Sequence, residues 1–196
     1  MNIIINAYEY LRPGGIIMIP LIFSSILMWA LIIDRVRDFS RMDKNDIGLQ
    51  EAVQMLKGMP VPYNSNSLRT GVVIDFLNKR TKNKKLNQGI LELCIMKKRS
   101  CIRQFLTIIT ILAAVAPLFG LLGTVTGMMT TFDVISVFGT GNAKAMAGGI
   151  SEALITTQSG LLVAIPGLFM SGFLSRRAVC MENRLDELIM IMKRNL

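Results

Sequence analysis

Residues 104–132 read QFLTIITILAAVAPLFGLLGTVTGMMTTF and contain no charged side chain. A helix rising about 1.5 Å per residue crosses the roughly 30 Å hydrocarbon core of a bilayer in about 20 residues. Two further charge-free runs, residues 13–33 and 153–175, are long enough to do the same. The sequence therefore predicts an all-α integral membrane protein with three transmembrane helices, at 13–33, 104–132 and 153–175.

The composition of the 196-residue chain agrees with this prediction and argues against an enzyme. Hydrophobic residues make up 52%, charged residues only 18%, and the mean hydropathy is +0.48. The chain has no histidine, the most frequent general base and a common metal ligand. No nucleophile with a nearby base stands out, so we expect neither enzymatic activity nor a cofactor or metal site.

The distribution of charge predicts the orientation in the membrane. Nearly all of the net charge of +9 lies in residues 34–103, with a smaller basic excess in 176–196. Because basic loops stay in the cytoplasm, these two segments are predicted inside, and segments 1–12 and 133–152 outside. The basic runs KRTKNKK (79–85) and KKR (97–99) are explained by this bias and by anionic lipid, so we expect no nucleic-acid partner. Cys94, Cys101 and Cys180 then lie on the reducing side, where no disulfide is expected.

The cytoplasmic segments are predicted to be helical. Residues 48–57 and 67–80 have amphipathic patterns and are separated by MPVPYNSN (59–66), whose prolines break helices. Residues 86–103 continue without an obvious breaker into the second span. After the third span, apolar residues recur at steps of three and four from Met181 to Met192. The second and third spans are therefore expected to extend into the cytoplasm as long helices.

Small and hydroxyl-bearing residues form stripes along the second and third spans. Such stripes allow close helix packing in lipid, but threonine hydroxyls can also line a polar passage, and the pattern alone leaves both readings open. Pro117 and Pro166 lie within the spans and predict kinks. In the second span the stripe comprises Ala113, Ala116, Gly120, Gly123, Thr124, Gly127 and Thr131. In the third it comprises Ala153, Thr157, Gly160, Ala164, Gly167 and Ser171, with Glu152, Thr156 and Ser159 on the neighbouring face.

The spans contain no Asp, Glu, Lys or Arg, and Glu152 directly precedes the third span at its predicted outer end. Proton pathways through membranes usually include an ionisable side chain. If this protein conducts protons, a second chain must therefore supply the central carboxylate.

The segments APLFGLLGTVTGMMTTF (116–132) and AGGISEALITTQSGLLVAIPGLF (147–169) resemble the MotA/TolQ/ExbB proton-channel family. Three spans resemble its ExbB and TolQ branches more than MotA. The resemblance implies a homopentamer in the bacterial inner membrane, driven by the proton-motive force, with segments 1–12 and 133–152 in the periplasm. It also implies an ExbD- or TolR-like partner helix in the pore, carrying the aspartate that takes the proton, and a TonB- or TolA-like energy transducer.

The same resemblance assigns roles to individual residues. Thr124 and Thr157 match threonines that face the partner aspartate, Glu152 matches a glutamate at the outer pore mouth, and Pro166 matches the proline of the AIP element. Beyond the resemblance, the hydroxyl content of the two spans adds Thr131 and Thr156 to the expected pore-lining set. The small-residue stripes and mid-span prolines give the packing set: Pro117, Gly120, Gly123, Gly127, Gly160 and Pro166. Protons are the coupling ion and no cofactor is implied. The resemblance thus implies an ExbB-like subunit that energises TonB-dependent transport across the outer membrane. The alternatives to this function are a TolQ-like motor for envelope constriction and a non-conducting oligomeric scaffold.

Overall fold

The computed structural model describes residues 14–44, 46–56 and 67–195, and these form six α-helices without a β-strand. The helices are α1 (Met18–Asp43), α2 (Leu49–Leu56), α3 (Leu68–Lys79), α4 (Lys84–Arg103), α5 (Leu106–Phe138) and α6 (Ala143–Asn195), with a 3-10 turn at Gly139–Gly141 between the last two.

Three helical stretches in the described ranges are long and apolar enough to cross a membrane. They are Met18–Asp43, Lys84–Gly141 and Ala143–Arg194. This confirms the predicted all-α membrane protein. Pro117 and Pro166 lie inside α5 and α6, and neither ends its helix. The predicted outer segment 1–12 and the breaker 59–66 lie outside the described residues.

The chain divides into two compact units. The first unit contains the described residues up to Ile32 together with Ile108–Ser171. It thus holds the N-terminal part of α1, most of α5 and the N-terminal half of α6. The three helices meet at Gly167, where an added Cβ would lie 2.6 Å from Sδ of Met28 and 3.1 Å from Cβ of Ala113. Met28 and Ala113 are completely buried, so this contact belongs to the core of the first unit.

The second unit contains the described parts of Ile33–Thr107 and Gly172–Leu196. Its core side chains include Phe39, Phe76, Leu91, Leu185 and Leu188. The predicted amphipathic helices are present here as α2 and α3. Ion pairs connect the C-terminal part of α6 to α1, α3 and α4: Arg184 with Asp43 at 2.5 Å, Arg69 with Glu187 at 3.1 Å, Arg103 with Glu182 at 2.6 Å, Lys193 with Glu92 at 2.5 Å, and Arg99 with Asp186.

The helical path into the second span is interrupted, contrary to the expectation of an unbroken helix. Helix α4 ends at Arg103, α5 begins at Leu106, and Phe105 between them has φ of 63°. A bulky residue in this left-handed region is strained. The segment therefore continues as two consecutive helices rather than one.

Arg35 of α1 stabilises this break. Its guanidinium is buried, donates to the carbonyl of Cys101 at 3.2 Å, and lies 5.4 Å from the centre of the Phe105 ring. The Cys101 carbonyl belongs to the last turn of α4. Carbonyl groups in the last turn of a helix have no hydrogen-bond donor within their own helix. Asp38 balances the charge at 2.5 Å. A residue distant in sequence thus caps α4 and holds the strained Phe105.

Candidate functional site

The small-residue stripes of α5 and α6 face each other in the first unit. An added Cβ on Gly160 would lie 2.8 Å from the carbonyl oxygen of Ala116 and 3.1 Å from Cα of Gly120. An added Cβ on Gly127 would lie 2.6 Å from the carbonyl oxygen of Gly149. Each of these neighbours is a backbone atom that cannot move aside. The two backbones therefore touch along several turns, as small residues permit in lipid.

Two of the predicted pore threonines lie inside this contact. Thr156 is completely buried, and its hydroxyl donates to its own helix at the carbonyls of Glu152 (2.9 Å) and Ala153 (3.0 Å). Thr131 is also buried and donates to the carbonyl of Gly127 at 3.0 Å. Their side chains fill space between α5 and α6.

The other two threonines lie at the edge of the contact. Thr157 is half-buried and donates to Ala153 of its own helix at 2.9 Å and to the carbonyl of Gly120 on α5 at 3.3 Å. Thr124 is also half-buried and donates to the carbonyl of Leu121 at 2.6 Å. A half-buried hydroxyl keeps lone pairs that a further group can reach. Thr124 and Thr157 can therefore present a hydroxyl to a molecule beside the α5–α6 pair.

Glu152 is half-buried near the start of the apolar part of α6. Its carboxylate lies against Gly15, in the chain segment that leads into α1. Within the described ranges, no group of three or more His, Cys, Asp or Glu side chains is arranged to hold a metal ion.

Residues 63–187 match the model of the MotA/TolQ/ExbB proton channel family. The chain belongs to this family. The match includes α3, α4, α5 and the part of α6 up to Glu187, and it confirms the resemblance seen in the sequence motifs.

Relatives within the MotA/TolQ/ExbB family carry ExbB names. A protein of Synechocystis sp. named ExbB-like 3 is 30% identical over 167 residues, covering 81% of this chain and 80% of its own length. A second Synechocystis protein, ExbB-like 1, is 31% identical over 175 residues, 83% of this chain and 67% of its own length. The biopolymer transport protein ExbB of Neisseria meningitidis is 26% identical over 190 residues, 87% of this chain and 86% of its own length. This member of the family is therefore a multi-pass bacterial membrane protein most similar to ExbB.

In this MotA/TolQ/ExbB chain the structure also brings forward residues that the sequence patterns did not single out. The hydroxyl oxygen of Thr110 on α5 lies 2.6 Å from that of Ser171, a member of the predicted stripe on α6. Gly15, and Gly14 beside it, approach α6 near the start of its apolar part, at Glu152 and Ile155. The consecutive glycines at 14–15 were a signal for a tight backbone approach, but the sequence does not show what they approach.

Proposed function

We propose that this chain is an ExbB-like subunit of a motor in the bacterial inner membrane, driven by the proton-motive force and energising TonB-dependent transport. Copies of the chain form an oligomeric pore, expected to be a pentamer. The pore surrounds the membrane helix of an ExbD-like partner, and a TonB-like transducer carries the work onward. The chain itself supplies hydroxyls and no enzymatic chemistry.

The observation that carries this proposal is that Thr124 and Thr157 lie at the edge of the α5–α6 contact, in spans that contain no carboxyl group. Thr124 and Thr157 keep half-buried hydroxyls at the border of the α5–α6 contact. Residues 104–132 and 153–175 contain no ionisable carboxyl. A proton carrier must therefore come from another chain, and a protonatable partner aspartate is a group that these hydroxyls can bind. At 100 mV each proton supplies about 2.3 kcal/mol.

The burial pattern narrows the proposed pore-facing set to Thr124, Thr157 and Glu152. Thr156 and Thr131 are assigned to packing, because both are buried between α5 and α6.

The rival function is a non-conducting scaffold, and it has an observation in its favour. The hydroxyls of Thr124, Thr156 and Thr157 all have acceptors within their own helices, so none of them requires a pore.

The test compares Thr157→Val with Thr156→Val, two nearly isosteric changes at adjacent positions. Both chains are co-expressed with the ExbD-like partner in cells that lack their own system, and uptake that requires the proton-motive force is measured. The motor predicts that Thr157→Val abolishes uptake while the complex still assembles, and that Thr156→Val keeps substantial uptake. Normal uptake with Thr157→Val, or loss of assembly before loss of uptake in both variants, would favour the scaffold.

A further inference from the structure

The chain segment that leads into α1 lies directly against the outer end of α6. At Gly15 an added Cβ would overlap the Oε1 of Glu152 and would lie 2.9 Å from its Cδ and 3.6 Å from its Cγ. At the preceding Gly14 an added Cβ would lie 3.4 Å from Cγ2 of Ile155, one helical turn further along α6. The backbone at 14–15 thus occupies the space beside the Glu152 side chain.

The backbone conformation at Gly15 is one that favours glycine. Its φ is 66°, in the left-handed region that residues with a Cβ rarely adopt. The Gly15 carbonyl accepts from the N–H of Met18 at 3.3 Å, at the start of α1. A turn at Gly15 therefore precedes α1 directly. Its backbone conformation and its lack of a side chain fix the space left for Glu152.

We propose that Gly15 is a positioning residue for Glu152 and holds its carboxylate at the outer end of α6. The inference rests on the proposed function for its consequence in proton transfer, but the contact itself can be tested without that function. Glu152 is a flexible side chain, so a Cβ at position 15 would displace the carboxylate rather than separate the helices. A methyl group at position 15, directly before α1, would thus move the Glu152 carboxylate on α6.

The first experiment measures the position of Glu152 chemically, in the full chain in membranes. A water-soluble carbodiimide with an amine nucleophile modifies carboxyl groups, and mass spectrometry compares the rate at Glu152 with that at exposed Asp133 in the same chain. Gly15→Ala should raise the Glu152 rate several-fold relative to Asp133, because the displaced carboxylate enters solvent. Gly15→Asn should do the same with less backbone strain, since asparagine tolerates positive φ.

The matched control is Gly139→Ala. Gly139 has φ of 68°, nearly the same as Gly15, but an added Cβ there meets no atom within 4 Å. It therefore carries the same backbone strain without the contact, and the Glu152 rate should not change. An unchanged Glu152 rate in both Gly15 variants, or an equal rise in Gly139→Ala, would overturn the proposal.

Shortening Glu152 provides a rescue. In Glu152→Asp the side chain loses one methylene, which should make room for a Cβ at position 15. If the Gly15 variants do not fold, recovery in the Gly15→Ala/Glu152→Asp chain supports the contact, and failure of that chain as well contradicts it.

The second experiment asks what the contact does in the complex with the ExbD-like partner. Gly15→Ala should lower proton-dependent uptake several-fold in the Glu152 chain and much less in the Glu152→Asp chain, a coupling expected only of interacting residues. An equal fold loss of uptake in the Glu152 and Glu152→Asp chains would contradict the proposed effect of the contact on proton-dependent uptake. Absence of proton-dependent uptake in the unmodified complex would instead remove the proposed function and leave the carbodiimide result to decide the positioning.

Discussion

Thr156 and Thr157 are neighbours in sequence, yet the structure gives their side chains different surroundings. Successive residues on a helix point about 100° apart. Thr156 is therefore enclosed between α5 and α6, where its hydroxyl bonds its own helix, and Thr157 reaches across to the carbonyl of Gly120. The family resemblance predicts Thr157 as a pore residue, and the hydroxyl-bearing face of the third span adds Thr156. The packing of α6 against α5 gives the two side chains different surroundings, which the sequence pattern does not distinguish.

Gly160 is the residue at which the closeness of α5 and α6 can be measured. In Gly160→Ala the new methyl would meet backbone atoms of Ala116 and Gly120 that cannot yield, at 2.8 Å and 3.1 Å. We expect the helices to separate and the free energy of unfolding to fall by about 1–3 kcal/mol. Titration with sodium dodecyl sulfate in mild detergent, followed by circular dichroism, measures this change.

The control for Gly160→Ala lies on the same helix. An added Cβ on Gly148 meets no atom within 4 Å, so Gly148→Ala should leave packing unchanged and raise stability by up to about 1 kcal/mol through helix propensity. Equal behaviour of the two variants would contradict the close backbone contact.

At the scale of helices, the sequence predicts a helix correctly where nearby residues mark its ends. Helices α2 and α3 lie within a residue or two of their predicted positions, because their apolar periodicity and the residues between them are local features. The end of α4 was not predicted, since Gln104 and Phe105 include neither glycine nor proline. Its cause is tertiary: Arg35 of α1 caps the Cys101 carbonyl and covers the Phe105 ring. The contact of Gly15 with Glu152 was missed for the same reason.

The ion pair between α4 and α6 makes the stability of the second unit depend on pH. The Nε of Arg103 donates to one carboxylate oxygen of Glu182 at 2.6 Å, and Nη2 donates to the other at 2.8 Å. These hydrogen bonds lower the pKa of Glu182 below its ordinary value, although partial burial opposes the shift. The folded state therefore binds this proton less readily than the unfolded state.

Glu182→Gln should consequently lower the unfolding midpoint at neutral pH. The contribution of Glu182 is complete above its unfolded pKa of about 4.3 and is lost as the pH falls through the lower folded value. The difference between Glu182→Gln and the unmodified chain should therefore shrink below about pH 4. Thermal unfolding in detergent across this range measures it, and a difference that persists undiminished at low pH would show that the carboxylate charge is not the cause.

At the scale of the whole molecule, the three spans and the distribution of basic residues predict which segments face the cytoplasm. An odd number of crossings places the two ends of the membrane region on opposite sides. The basic excess in 34–103 and 176–196 then favours these segments inside. This orientation would place Glu152 and Gly15 on the periplasmic side, where protons enter when the proton-motive force drives them inward. The assignment of Glu152 to the end of the pathway where protons enter therefore depends on this orientation.

The three native cysteines report this orientation, since all belong to segments predicted in the cytoplasm. Cys101 and Cys180 are exposed, whereas Cys94 is buried and burial raises the pKa of its thiol. A membrane-impermeant maleimide should label none of them in intact spheroplasts. In inverted vesicles it should label Cys101 and Cys180 quickly and Cys94 slowly, because burial lowers both the access of the reagent to Cys94 and the fraction of its thiol that is ionised.

An outward-facing cysteine completes the measurement. Thr140 is exposed in the 3-10 turn between α5 and α6, and Thr140→Cys in a chain with the three native cysteines changed to serine should react in intact spheroplasts. Reaction of Cys101 from outside together with protection of the residue at 140 would reverse the topology. Glu152 and Gly15 would then lie at the cytoplasmic end of the pathway, and the carboxylate held by Gly15 would act where protons leave instead of where they enter.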